Sequence, residues 1–322
     1  MGLITLANES IGVALSPARG ASILHMSYRA PGAPEPMPIL SRAVPGEDPL
    51  AKPACFIMAP WTNRVAAAGF TFGARRYPLR PSSADGSAIH GDVRARAFTI
   101  IDRTPVTARL GFDSRAAPEV NFPWPFALEA RYEIDGARLE VDLTLRSRAT
   151  ESFPAGLGLH PYLPRFWGPR RERATLTAEV AARYPLAGNI PIGPAVDDDL
   201  CARLRRGLMP QAHLDDVFSG WSGRAAISAA GVTCTLARQA LASHRKPRPE
   251  SEDPDALVIY APRTKAGEDE PFIAVEPVTM INDGVNQLAA GNPWTGVVIL
   301  APGEELRRIY TFTVTGSPVR GE

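Results

Sequence analysis

The 322-residue sequence has few cysteines, no excess of positive charge and no long apolar run, the features of disulfide scaffolds, nucleic-acid-binding proteins and membrane proteins respectively. Its three cysteines, Cys55, Cys201 and Cys234, are far apart and form no C-x-x-C pair, which argues against a disulfide framework and a zinc site and predicts buried free thiols. Basic and acidic residues number 35 and 34, so no excess positive charge points to nucleic acid or a membrane surface. No apolar run approaches the ~18–20 residues of a membrane span, and no signal-peptide pattern opens the chain. These absences predict a cytoplasmic globular protein.

The residues that are present follow the pattern of strands joined by turns. Apolar and polar residues alternate from Phe126 to Ile134 and from Leu139 to Leu145, with Asp135-Gly136 between the two runs. Period-two runs around an Asp-Gly pair are a strong signal for a β-hairpin. Short apolar runs recur along the chain, whereas helical periodicity is weak and only 197–206 could form a turn or two. The sequence predicts an all-β protein, a single domain over 1–322 built as a large antiparallel β-sandwich with very little helix.

Three segments interrupt this pattern. Residues 30–53 are rich in proline and aperiodic, which predicts an extended surface loop. Residues 243–255 are charged and rich in proline, and are predicted to be a mobile surface excursion. Residues 316–322 are predicted to be a loose tail.

Five groups of polar residues lie at the edges of apolar runs, where a sandwich has no structural need for them. They are Asn63-Arg64, His90-Gly91, His160-Pro161-Tyr162, the acidic pair Asp215-Asp216, and Glu276 within the run from Phe272 to Val278. The glycine after His90 predicts a tight turn that exposes the imidazole ring. For all five groups ordinary structural roles remain open alternatives, which for Glu276 would be an unpaired glutamate at the edge of a strand.

His160 and Glu276 carry the strongest chemical signal. The alternating run before His160 predicts a strand that opens into a loop at the histidine, because Pro161 fixes its own φ and biases the preceding residue. Imidazole suits proton transfer near neutral pH. A carboxylate in an apolar strand, such as Glu276, is costly unless it is paired or faces a cleft, and burial would raise its pKa toward that of a general base.

Three kinds of catalysis can be compared on this basis. A metal centre of two histidines and one carboxylate is disfavoured because there is no His-x-His pair on one strand. Serine catalysis lacks a Gly-x-Ser-x-Gly motif. Acid/base chemistry between a histidine and a glutamate, with neither metal nor cofactor, fits the residue types best.

In order and rough spacing, the five groups resemble the aldose 1-epimerase (galactose mutarotase) family. The resemblance also includes Gly69-Phe70-Thr71-Phe72-Gly73 with Tyr77, predicted as a hairpin, and Phe218-Ser219-Gly220-Trp221, and it covers residues 15–315. It implies a galactose mutarotase-like supersandwich with an open sugar-binding cleft and no cofactor or metal. The implied activity is the interconversion of α and β anomers of a free aldose.

By position, the resemblance implies that Glu276 is the general base, which takes the proton of the anomeric hydroxyl, and that His160 is the general acid, which protonates the ring oxygen. The implied substrate-binding residues are Asn63, Arg64, His90, Tyr162 and Asp215. This hypothesis requires His160 and Glu276 to face each other across one sugar-sized hollow.

Two related functions stay open. A hexose-6-phosphate 1-epimerase would need arginines at the cleft rim, which Arg94 and Arg96 could supply. A non-catalytic sugar-binding or regulatory module could use the same fold, although it would not need a Glu/His pair. In each case the expected partner is a small-molecule sugar, a hexose or pentose, bound by a monomer or homodimer. Trp61 and Trp221 could stack on a sugar, but core packing is favoured for both.

Overall fold

The computed structural model describes residues 2–41, 52–208, 210–240 and 255–316, which form short strands and little helix. The first fourteen strands are β1 (Ile4–Ala7), β2 (Ile11–Ser16), β3 (Ser22–Tyr28), β4 (Met37–Leu40), β5 (Cys55–Met58), β6 (Arg64–Val65), β7 (Gly69–Phe72), β8 (Arg75–Pro78), β9 (Ala88–Ile89), β10 (Thr99–Arg103), β11 (Thr107–Asp113), β12 (Phe126–Asp135), β13 (Arg138–Ser147) and β14 (Phe153–Ala155). The others are β15 (Gly158–Pro164), β16 (Phe166–Trp167), β17 (Glu172–Arg173), β18 (Thr175–Ala178), β19 (Ala182–Arg183), β20 (Leu186–Ala187), β21 (Ile190–Pro191), β22 (Leu214–Ser219), β23 (Arg224–Ala229), β24 (Val232–Arg238), β25 (Ala256–Ala261), β26 (Phe272–Val278), β27 (Val298–Leu300) and β28 (Glu305–Gly316). The helices are α1 (Asp199–Arg206) and α2 (Gly284–Ala289), with 3₁₀ turns at Ala66–Ala68, Val93–Ala95 and Ser114–Ala116.

Two large antiparallel sheets contain most of these strands. Within the described ranges, the first sheet has ten strands in the order β1-β2-β3-β5-β15-β26-β25-β22-β19, with β4 also paired to β3. The second has eight, in the order β10-β11-β12-β13-β28-β24-β23-β18. This arrangement confirms the predicted all-β antiparallel class.

The predicted central hairpin is present and pairs along its whole length. The register runs from Phe126 opposite Ser147 to Asp135 opposite Arg138. The two residues of the loop are therefore Gly136 and Ala137, and Gly136 has φ 53°. Asp135 is thus the last paired residue of β12, and only the glycine of the Asp-Gly pair lies in the loop. The smaller hairpin around Gly73 also forms, from β7 and β8.

The two sheets differ in how their faces are buried. In β12 and β13 every second residue is buried, since one face packs on the core and the other meets solvent. In β26 all seven residues are buried, including Glu276. The inward face of the first sheet belongs to the main core, whereas its outward face has a second apolar cluster that contains Phe56, Met58, Val217, Val258 and Val278. The candidate site lies on this outward face.

Two of the predicted irregular segments need correction. Met37–Leu40, inside the predicted 30–53 loop, is a strand that pairs with β3. Pro38 is consistent with this position because β4 is an edge strand among the described residues, and edge strands are where sheets accept proline. Asp255, the last residue of the predicted excursion, is buried and pairs with Arg238 and Arg308. Residues 42–51, 243–254 and 317–322 lie outside the described residues.

The predictions for the helical segment, the cysteines and membrane spans agree with the structure. Helix α1 falls within the predicted 197–206 segment and is capped by Asp198, whose side chain accepts from Cys201 N at 3.0 Å. The three cysteines are free and buried. In the described parts of the chain, no helix is long and apolar enough to cross a membrane. Helix α2 was not predicted.

Leu143 and its neighbour Thr144 test the two-faced nature of the second sheet. Leu143 is fully buried, whereas Thr144 is on the other face of β13 and only partly buried. We expect Leu143→Ala to lower the free energy of unfolding by about 2–5 kcal/mol, because it leaves a cavity in the core. Thr144→Ala should cost less than about 1 kcal/mol. Urea unfolding measures both, and equal costs would contradict this placement of the core.

Candidate active site

Adjacent strands of the first sheet bring a row of side chains onto its outward face. His160 on β15 lies opposite Phe56 on β5, and Glu276 on β26 lies opposite Val258 on β25, which in turn lies opposite Val217 on β22. Side chains directly opposite on antiparallel strands are close neighbours. We call these five residues the cross-strand row.

The pairing of β15 with β26 joins the two halves of the row. Gly158 pairs with Val278 and Tyr162 with Ala274, and this register places His160 opposite Glu276. Thr279 N donates to Leu157 O at 2.9 Å. In an antiparallel pair every second residue of a strand directs its N–H group toward the partner strand. Counting in steps of two from this bond, the residues that should donate between β15 and β26 include Pro277 and Pro161. Neither proline has an N–H group, so the hydrogen-bonded ladder is interrupted at the histidine and the glutamate.

The predicted end of the strand at His160 is therefore wrong. His160 and Pro161 lie inside β15, which continues to Pro164. Proline normally argues against an interior strand position because it cannot donate to the ladder. Here the β5 side of the strand keeps its pairing, with Pro161 opposite Cys55, while the break falls on the β26 side.

The His160 and Glu276 side chains touch. Nε2 of His160 lies 3.1 Å from Oε1 of Glu276, and the two residues are 4% and 2% exposed. The sequence hypothesis set the two groups on opposite sides of a hollow, whereas here no space separates them. In the described residues, Oε2 of Glu276 has no hydrogen-bond partner. Burial, and next the charge of Asp215, raise the pKa of Glu276 well above its ordinary value, although Arg64 opposes this.

Aromatic rings enclose the imidazole of His160. Phe56 stacks on it with ring centres 4.5 Å apart, and Tyr162 lies at 4.6 Å in a tilted arrangement. The ring of His90 meets it edge-on at 4.9 Å. Phe56 was not among the predicted site residues, since an apolar residue in an apolar run carries no sequence signal that separates it from core.

The turn that carries His90 depends on the next residue. His90 and Gly91 both have positive φ, 64° and 71°, and a Cβ on Gly91 would lie 2.1 Å from the carbonyl oxygen of Ala59. The predicted tight turn is present, but the ring is half-buried rather than exposed, with Nδ1 3.1 Å from the sulfur of Met58. Burial, and then the charges of His160, Arg94 and Arg64, hold the pKa of His90 well below its ordinary value.

Strands β6 and β9 bring Arg64 beside this turn. Arg64 pairs with Ile89, and His90 N donates to Asn63 O at 2.8 Å. The Arg64 guanidinium lies 3.1 Å from Asp85 and 3.8 Å from Asp215. Asn63 is buried, and its Oδ1 accepts from Arg64 at 3.3 Å, so its side chain orients the guanidinium.

The two aspartates of β22 point to opposite faces of the sheet. Asp215 shares the face of Val217 and Glu276, and burial raises its pKa against the opposing charge of Arg64. Asp216 instead pairs with Arg183 at 2.9 Å. The structure thus groups Asp215, rather than Asp216, with Arg64, His90, His160 and Glu276.

A short hairpin covers this side of the site. Strands β20 and β21 flank Asn189, whose Nδ2 donates to Asp215 at 3.1 Å and whose carbonyl accepts from Asn282 at 2.7 Å. Neither asparagine was predicted. Asn282 follows the Glu276 strand in the sequence, but asparagines near turns are too common to single out.

His90, His160 and Glu276 could also hold a cation. Each offers a ligand atom, and these atoms lie within 4.8 Å of one another, which is a set of two histidines and one carboxylate. The absence of a His-x-His pair does not exclude such a set, because the three residues come from separate segments.

A cavity of about 390 Å³ opens beside His160. Its lining includes Phe56, His90 and Tyr162, all three of which contact the His160 ring. Trp61 and Trp221 do not line it, since both are buried in the main core, as favoured from the sequence.

Solved structures with low sequence identity share this fold. A galactose mutarotase-like protein from Clostridium acetobutylicum superposes with a TM-score of 0.77 at 17% identity, over 98% of this chain and 95% of the other. A GalM/aldose epimerase homologue from Caenorhabditis elegans gives 0.74 at 15% identity, over 98% and 99%. At these identities the likeness defines the class of fold.

The sequence itself defines the family. A model of the aldose 1-epimerase family matches residues 2–313, so the chain belongs to that family. The uncharacterized protein YihR of Escherichia coli (strain K12) is 27% identical over 110 residues, a stretch that spans 33% of this chain and 35% of YihR.

Gly91→Ala tests how the His90 turn is held. Gly86 also has a positive φ, 80°, but a Cβ there meets nothing within 4 Å, so Gly86→Ala is a matched control. We expect Gly86→Ala to lower the free energy of unfolding by about 1–2 kcal/mol from backbone strain. Gly91→Ala should cost about 1–3 kcal/mol more because of the overlap with Ala59.

Urea unfolding gives both values, and an NMR titration should show the pKa of His90 rising toward its ordinary value in the Gly91 variant. Equal costs for the two variants would show that Ala59 does not confine the turn.

Proposed function

We propose that the protein interconverts the α and β anomers of an aldose by acid/base ring opening and reclosure, without a metal or cofactor. The observation that carries this proposal is the contact of 3.1 Å between His160 and Glu276 in the cross-strand row. In the proposed reaction Glu276 takes the proton of the anomeric hydroxyl while His160 protonates the ring oxygen. The C1–C2 bond then rotates, and the ring recloses on the other face of the carbonyl with the roles reversed.

The pair conserves its proton count through this cycle. It begins as imidazolium and carboxylate and holds one proton in all. After ring opening it is imidazole and carboxylic acid, again with one proton, so reclosure restores the first state without exchange with solvent. The raised pKa of Glu276 favours acceptance of the proton.

The other predicted residues have proposed roles in holding the sugar. The distance of 3.8 Å between Arg64 and Asp215 is too long for a hydrogen bond, so both can bind hydroxyl groups. His90, with its lowered pKa, would act as a neutral imidazole. Tyr162 lines the cavity, and Asn63 would orient Arg64 rather than touch the substrate. We further propose a cytoplasmic monomer or homodimer.

A non-catalytic sugar-binding module is the weaker alternative. Burying a carboxylate to 2% exposure costs free energy, and a protein that only bound sugar hydroxyls would not need to pair it with an imidazole. The phosphosugar alternative depends on the charge of the cavity.

Glu276→Gln tests the proposed base. The variant keeps the shape of the side chain but cannot accept the proton, so we expect kcat to fall about 10²–10⁴-fold while sugar binding is retained. Polarimetry of α-glucose and α-galactose measures the rate, and isothermal titration calorimetry measures binding. The control is Glu129→Gln, at an exposed position of the second sheet, which should match wild type.

Undiminished turnover in Glu276→Gln would remove Glu276 from the mechanism. EDTA in the assay should leave the wild-type rate unchanged, and its loss would mean that a metal takes part.

The pH profile tests the environment of Glu276. Because its pKa is raised, kcat/KM should fall on the acid side at a pH above the ordinary pKa of a glutamate. Asp215→Asn removes a neighbouring negative charge, which stabilises the carboxylate, so the acid limb should move to lower pH. Asp216→Asn, on the other face, should leave the limb in place. A limb that stays fixed or moves upward in Asp215→Asn would show that another group controls it.

A further inference from the structure

The cavity beside His160 is basic. Three of its eight lining residues, Arg19, Lys52 and Arg94, carry positive charge, and none of the eight is acidic. This composition differs from that of the whole chain, in which basic and acidic residues nearly balance. Neutral sugar hydroxyls do not require such a set of charges. The proposed acid/base reaction does not use these three residues.

Arg94 is the most buried of the three, since Arg19 and Lys52 are exposed. It is partly buried, and its guanidinium carbon lies 5.9 Å from the centre of the Phe56 ring. No carboxylate of the described residues lies within ion-pair distance of it, and burial lowers its pKa. A half-buried guanidinium without a counter-charge is costly, which points to an anion that is supplied by a ligand.

Arg96 shows the opposite arrangement. Its guanidinium binds both carboxylate oxygens of Asp92 at 2.8 Å and also donates to the carbonyl oxygens of Pro118 and Glu119. In the sequence, Arg94 and Arg96 together are candidates for one phosphate site. The structure separates them, because Arg94 lines the cavity whereas the groups around Arg96 already satisfy it.

The backbone holds Arg19 next to Arg94. Gly20 N donates to Arg96 O at 2.6 Å, and Phe98 N donates to Pro17 O at 2.8 Å, so the loop before β3 is docked on the turn at Val93–Ala95. Gly20 has φ 63°, and a Cβ there would lie 2.7 Å from the carbonyl oxygen of Arg94. This close approach brings the backbones of Arg19 and Arg94 together, and both residues line the same cavity.

Phe56 connects this wall with the proposed catalytic pair. The same phenyl ring stacks on His160 and lies under the guanidinium of Arg94. Tyr162 borders the cavity and also contacts His160. A sugar whose C1 end meets His160 and Glu276 can therefore extend its far end toward the charged wall.

We propose that this cavity binds a terminal anionic oxo group of the aldose, a phosphate, sulfonate or carboxylate, through Arg94, Arg19 and Lys52. The preferred substrate is then an acidic sugar rather than a neutral one. Guanidinium groups bind such oxyanions through short, charge-assisted hydrogen bonds. This inference rests on the proposed anomerase activity and assigns its substrate class.

Exchange NMR of the anomeric protons tests the inference, because it measures interconversion at equilibrium for any aldose. The substrates are glucose, glucose 6-phosphate, 6-deoxy-6-sulfoglucose and glucuronate, each corrected for its spontaneous rate. We expect a higher kcat/KM for at least one anionic sugar than for glucose. Comparison of the three anionic sugars identifies the group.

Arg94→Ala should lower the ratio of kcat/KM for that sugar to kcat/KM for glucose by about 10- to 100-fold. Arg94→Lys should recover part of the ratio. Arg103→Ala, at an exposed position on β10 of the second sheet, is the matched control and should leave the ratio unchanged. If Arg94→Ala does not fold, Arg19→Ala and competitive inhibition of wild-type glucose turnover by inorganic phosphate and sulfate provide the same test.

The outcomes separate this inference from the proposed function. Turnover of glucose with no preference for any anionic sugar, and a ratio insensitive to Arg94, would overturn the anion site and leave the anomerase intact. Turnover of no sugar would overturn the proposed function. The anion site would then be judged by calorimetry with glucose 6-phosphate, where binding lost in Arg94→Ala supports it and no binding to wild type overturns it.

Discussion

The interrupted ladder between β15 and β26 is the constraint on which the candidate site depends. Pairing at Gly158 and Tyr162 fixes the register, and two prolines remove donors from the stretch between them. This register places His160 opposite Glu276, which lies 116 positions later in the chain. A shift of one residue would turn the imidazole and the carboxylate to opposite faces of the sheet. The contact is thus a consequence of sheet geometry more than of loop conformation.

The surroundings of the pair explain how a buried carboxylate is tolerated there. The imidazole contacts one oxygen of Glu276, and Arg64 opposes the raised pKa, while Asp215 and burial act in the other direction. Burial and Asp215 thus favour the neutral form of the Glu276 carboxyl group, whereas Arg64 favours its charged form. Because the side chains touch, the sugar of the proposed reaction must reach them from the cavity side or separate them, and it would gain hydrogen bonds to groups that are otherwise shielded from water.

Local patterns in the sequence were sufficient to predict the long strands and to select His160 and Glu276 as candidates for proton transfer. The β12–β13 hairpin and the run from Phe272 to Val278 have clear apolar patterns and form as predicted. The predicted strand ended too early, at His160, because a proline such as Pro161 normally ends a strand. Only the pairing of Pro161 with Cys55 on β5 shows that β15 continues. The His160–Glu276 contact, the Phe56 stack and the cover by Asn189 result from long-range register and packing, which no local pattern encodes.

Chemistry and specificity have different structural origins in this protein. The proposed acid and base are fixed by the register of central strands, which cannot shift without exposing the core. The charged wall is built from the loop around Arg19 and the turn around Arg94, which are joined by backbone hydrogen bonds outside the sheet. Loop residues can change without disturbing the sandwich. In the proposed scheme the same proton transfers can therefore serve neutral or acidic sugars, and the residues of the wall, rather than the fold, decide which sugar is bound.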